Sequence, residues 1–196
     1  NESVSKQYAI IHVAYLSEKF SLPFNSIYIF TPPICPNERK ISFYDLFEAQ
    51  ELFDLWQCVN YRFYVGNANH ANGKGIVVAN AKSLLRNILD SADEAIAATL
   101  RFGHDGNVIP LVALMQIENC NVAVSDPYEV YKVWSDFKVV PMAANVQIIF
   151  FRNEKSGDIL VKVMHNENEV HIPVETDMFP YYKWEDVERF YRNLLN

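Results

Sequence analysis

Ala97-Ala98-Thr99-Leu100-Arg101-Phe102-Gly103-His104-Asp105-Gly106-Asn107-Val108-Ile109-Pro110-Leu111-Val112-Ala113-Leu114-Met115 is the stretch whose reading decides the fold of this chain. It opens with a short apolar run carrying Thr99 and Phe102, the composition of a buried strand rather than an amphipathic helix. Gly103 and Gly106 then bracket a His-Asp pair, at positions where backbone can turn sharply or approach a ligand closely. From Val108 the apolar residues crowd together, through Ile109, Leu111, Val112, Leu114 and Met115. That pattern predicts a buried helix with Asn107 placed to cap it. Pro110 falls in the first turn on this reading, where its missing N–H costs little. His104 and Asp105 therefore sit at the carboxyl end of a strand, which is where ligands bind in open α/β sheets. The N-terminus of the following helix offers free N–H groups to an anion.

Outward from this unit, Val77 to Ile96 reads as a regular helix with Leu84, Leu85, Ile88, Leu89 and Ala92 on one face. Its Asp90, Asp93 and Glu94 form a solvated side rather than an acid–base pair. Gly66 to Gly75 is an Asn- and Gly-rich loop holding His70 and Lys74. It lacks the glycine spacing and the Ser or Thr of a phosphate-binding loop, so both residues read as solvated. Ser42 to Asp45 has the form of a capping box, and Leu46 through Val59 continues as a helix with a broad apolar face. Asn25 to Asn37 is loop or short strand, and Glu2 to Phe20 carries a largely apolar helical pattern. Beyond the central helix, Asn121 to Pro141 is a connection with Tyr131 and Trp134 as packing residues. Asn145–Phe151 and Ile159–Met164 form a hairpin, with a third short strand expected over Glu169–Pro173. Trp184 to Leu195 closes the chain as an amphipathic helix.

The 196 residues suit one domain or a large part of one, and half of them are hydrophobic, which excludes a disordered chain. No apolar run approaches the length of a membrane span. A net charge of −7 argues against nucleic-acid binding. Cys35, Cys58 and Cys120 have no metal-ligand spacing. They leave open one disulfide with one thiol, or three free thiols.

Leu100-Arg101-Phe102-Gly103-His104-Asp105-Gly106-Asn107 followed by an apolar helix resembles the second signature of the histidine acid phosphatases, the family of phytases and multiple inositol polyphosphate phosphatases. Leu55-Trp56-Gln57, then Ala81 to Leu89, then the strand pair over Gln147–Val163, resemble bacterial members in the same order. The first signature of that family, Arg-His-Gly followed by another Arg, does not occur. The histidines are His12, His70, His104, His165 and His171, and none follows an Arg. The chain thus resembles the C-terminal half of such an enzyme, and the expectation is a fragment that is inactive alone. The resemblance implies an α/β class, as part of a phosphoglycerate-mutase-like three-layer fold with a helical cap region. Residues 1–66 would be a mainly helical cap or insert, and 67–196 the C-terminal part of the core.

The chemistry implied is hydrolysis of a phosphate monoester through a phosphohistidine, with no metal and no cofactor. His104 would stabilise charge on the transferring phosphoryl group, and Asp105 would protonate the departing oxygen and later help activate water. Gly106 and Asn107 would line the substrate. Gly106 stands where many relatives carry Thr. The expected partner is a phosphorylated small molecule, with neither nucleic acid nor membrane, in a periplasmic or secreted setting. Self-association through a truncated sheet face is a further expectation. Two rivals remain: a phosphate-binding or interaction module of the same fold, and a metal-dependent HD phosphohydrolase, whose His-Asp pair lies inside a helix.

Overall fold

The computed structural model describes residues 10–15, 47–92 and 97–196, with side chains for the last two ranges. Strand β1 is Ile10–Tyr15, helix α1 is Ala49–Asn67, α2 is Ile76–Ala79 and α3 is Lys82–Ala92. Strand β2 is Ala98–Gly103, and α4, Asp105–Leu114, follows it directly. Two single-turn helices come next, α5 at Val130–Val133 and α6 at Asp136–Val139. Strands β3 (Asn145–Arg152), β4 (Ile159–His165), β5 (Asn168–Glu169) and β6 (Tyr181–Lys183) precede α7, Trp184–Leu195.

The strands form one mixed sheet in the order β2-β1-β3-β4-β5, with β6 also paired to β4. Among the described strands only the β1–β2 pair is parallel, with Ile10 opposite Ala98 and Ala14 opposite Phe102. On one face Val146, Ile148 and Phe150 of β3 line up with Val161 and Val163 of β4, and all five are buried. Helices α4 and α7 pack on this sheet, and Phe150 meets Trp184 edge to face at 4.9 Å. The opposite face carries Ile149, Phe151, Leu160 and Met164, all half-buried. Leu100 and Phe102 of β2 belong to that opposite face by register, and they are 58% and 64% exposed. No strand pairs with the outer edge of β2 among the described residues.

Helix α4 is buried on every side, from Val108 through Leu114. Such a helix has no polar face because it runs through the core rather than along its surface. Tyr191 of α7 is fully buried and donates its hydroxyl to the Met115 carbonyl at 3.0 Å, which fastens the last helix to the end of α4. Burial also raises the pKa of that phenol, so it stays protonated and a donor. Asn60 of α1 ties in the two single-turn helices. Its amide donates to the Trp134 carbonyl at 3.1 Å and accepts from the Asp136 N–H at 2.8 Å.

Several expectations are corrected. The helical reading of Glu2–Phe20 fails over Ile10–Tyr15, which is a strand between β2 and β3. A run of Ile, Val and Ala satisfies helical and strand spacing alike, and partners distant in sequence decide it. The long helix over Val77–Ile96 is broken at Asn80–Ala81 into α2 and α3. Helix α1 runs on to Asn67, past the Val59 expected, and its capping box is formed by Glu48 and Glu51. The third strand is shorter than Glu169–Pro173, being β5 alone, and β6 is an addition. The hairpin and the closing helix stand as read. Cys58 and Cys120 are free thiols. The readings at Asn25–Asn37, Ser42–Asp45, Cys35, Asp93 and Glu94 lie outside the described residues.

Candidate functional site

Strand β2 delivers the chain to Gly103, and helix α4 begins two residues later. His104 is the N-cap, in extended conformation with φ −110° and ψ 169°. Its carbonyl accepts from the Asn107 N–H at 2.9 Å and the Val108 N–H at 3.1 Å, which starts the helix. Asp105 is the first helical residue, and its Oδ1 accepts from the Gly106 N–H at 2.7 Å. A carboxylate in the first turn also complements the helix dipole. His104 is exposed and Asp105 half-buried.

Asn107 is therefore not the cap. The helix opens three residues before it, because the His104 carbonyl and the Asp105 carboxylate do the work expected of Asn107. The amide of Asn107 instead folds back over Gly103, 3.3 Å from where a Cβ would stand there. A side chain at 103 would displace that amide by a few tenths of an ångström, so the close approach favours glycine there. Pro110 is likewise not in the first turn but inside the helix. It has no N–H to give the Gly106 carbonyl, which is left without its usual intrahelical donor.

Arg101 secures the strand that carries the pair. Its guanidinium and Nε donate to the Asn87 side chain at 2.8 and 3.1 Å, and its Nη2 also reaches Ser91 Oγ at 3.0 Å. Both acceptors lie on α3, so β2 cannot shift without moving that helix. Asn67, at the end of α1, brings its Oδ1 to 3.6 Å from the position a Cβ would take on Gly106. Sequence reasoning missed it, since one Asn at a helix end carries no local signal. His104, Asp105, Gly106 and Asn107 thus occupy one strand-to-helix junction with Asn67 beside it. His70 and Lys74 belong to a separate turn, where the His70 ring lies against Gly73 and faces Tyr64 at 6.3 Å. The pair follows a strand instead of lying within a continuous helix, which removes the HD phosphohydrolase reading.

This junction can do two things chemically. An imidazole and backbone N–H groups at a helix N-terminus can hold an anion. A carboxyl group one residue away can exchange a proton with an atom of that anion or its ester. Among the described residues no group of His, Cys, Asp and Glu has the arrangement of a metal site.

Comparison with known proteins bears on the family and the fold. The family profile of the histidine phosphatase superfamily (branch 2) matches residues 18–166. The fold is similar to that of a multiple inositol polyphosphate phosphatase from Bifidobacterium longum. With its phosphate complex the TM-score is 0.64 at 22% identity, covering 73% of this chain and 32% of that one. With its inositol hexasulfate complex the TM-score is 0.63 at 23% identity, with the same coverage of 73% and 32%. The apo form gives 0.61 at 24% identity, covering 75% and 34%. The chain therefore spans about a third of the length of these structures. No curated protein sequence matches it significantly.

Proposed function

The chain belongs to the histidine phosphatase superfamily, branch 2, and from that membership we propose that it is the C-terminal part of an acid phosphatase. The full-length protein hydrolyses phosphate monoesters, inositol phosphates among them, through a phosphohistidine, in a periplasmic or secreted setting. The observation that carries this reading is the His104-Asp105 pair at the end of β2, at the N-terminus of α4.

On this reading the nucleophilic imidazole is that of an Arg-His-Gly segment, which does not occur in these 196 residues. Its nitrogen attacks phosphorus and the bond to the ester oxygen breaks. His104 donates to the phosphoryl oxygens as charge builds on them. Asp105, protonated, gives its proton to the leaving oxygen, so the product departs as an alcohol. Water then attacks the phosphohistidine, Asp105 as carboxylate takes the proton released, and phosphate leaves. Gly106 and Asn107 line the substrate. Without the nucleophile the chain alone has negligible activity.

A leaving-group comparison tests the role of Asp105. In the full-length protein, Asp105→Asn is expected to slow an alkyl phosphate by about 10²–10⁴-fold, the usual worth of a general acid. An activated aryl phosphate, whose leaving group needs no proton, should lose much less. Equal losses on both esters would remove Asp105 from that role. A full-length protein that binds phosphate and hydrolyses neither ester would favour a phosphate-binding module of the same fold.

A further inference from the structure

We propose that Asn67 is a specificity-determining residue of this site, and that its side-chain oxygen favours leaving groups carrying a free hydroxyl beside the scissile ester. The inference rests on the phosphatase reading above. Asn67 is the last residue of α1, and its Nδ2 donates to the Phe63 carbonyl at 3.3 Å. That bond settles which way the amide faces, because the flipped amide would set oxygen against oxygen. The Oδ1 atom is thereby turned toward α4, where it lies 3.6 Å from the Cβ position of Gly106.

Gly106 has no side chain of its own, so the polar atom at this corner of the site comes from α1. It lies beside the residue that follows Asp105. On the phosphatase reading Asp105 meets the leaving oxygen, and the proposal sets Asn67, beside the next residue along the junction, on the alcohol side of the substrate. An amide oxygen only accepts hydrogen bonds. It repels phosphate oxygens, including those of a second phosphate on a neighbouring carbon of the alcohol. A neighbouring hydroxyl can donate to it. A site built around such an acceptor discriminates against an analogue that lacks the donor, because the acceptor is then left unmatched.

Glycerol phosphate and propyl phosphate differ only in hydroxyl groups and make the comparison direct. The full-length wild type is expected to have the higher kcat/KM on glycerol phosphate. Asn67→Ala should lower that value about five- to tenfold, the worth of one neutral hydrogen bond, and leave propyl phosphate unchanged. Asn67→Asp keeps an acceptor in place, so the preference should survive while KM rises for both esters through charge repulsion. Equal loss on the two esters in Asn67→Ala would mean that Asn67 only supports the end of α1, and would overturn the inference. A wild type active on both esters without preference would also overturn it and leave the phosphatase reading intact. A wild type inactive on both would overturn that reading, and this inference with it.

Discussion

His165 holds its ring between a carbonyl and a thiol. Its Nε2 donates to the Val139 carbonyl at 2.9 Å, which leaves Nδ1 as the acceptor facing Cys120 Sγ at 3.7 Å. Burial lowers the pKa of this imidazole from its ordinary 6.5, against the opposing effect of the Val139 bond, and pushes the Cys120 thiol up to about 12. The pair is therefore neutral, unlike the activated Cys-His pairs of hydrolases. A depressed histidine means that the unfolded chain takes up the proton first as pH falls. Stability contributed by neutral His165 is then present above 6.5 and lost below it, down through the folded-state value, by at most about 1.4 kcal/mol for each pH unit. Urea unfolding of wild type and His165→Gln between neutral and mildly acidic pH should show the smaller fall in the variant, and parallel falls would contradict this assignment. Neither His165 nor Asn67 was legible as a residue with a role. A histidine ending a strand and an asparagine ending a helix look ordinary until packing brings Cys120 and Gly106 to them. His104 and Asp105 were legible because two glycines and a change of periodicity surround them.

Those same periodicities made β2, α4, the β3–β4 hairpin and α7 readable. The elements that escaped are short or ambiguous. Strand β6 has only the residues Tyr181–Lys183, too few for a pattern, and β1 fits two periods at once. Among the described residues, strand β2 is an edge of the sheet. Its exposed face presents Leu100 and Phe102, and the strand itself carries neither proline nor lysine. When this chain is produced by itself, a second copy is expected to cover that edge. Sedimentation velocity should then show dimers or larger species, and a Leu100→Lys, Phe102→Lys double variant should return the chain to monomer. A wild-type chain that sediments only as monomer would contradict the expectation.

Taken whole, the sheet, its core helices and the His-Asp junction belong to a chain of the histidine phosphatase superfamily that spans about a third of the length of the Bifidobacterium longum structures. The fold class was readable from the sequence because the core obeys simple alternation. The order of strands was not, since a sheet joins β1 to β2 and β3 across large separations that no local window contains. The proposed chemistry rests on side chains, with His104 bearing on the phosphoryl oxygens. Hydrolysis of a phosphate monoester by the full-length protein, with excess chelator present, is the measurement that bears on this most directly. Wild type should turn over equally well with and without chelator, and His104→Ala should lose about 10²–10³-fold in kcat. Activity that a chelator abolishes and a divalent ion restores, or that survives His104→Ala undiminished, would contradict the account.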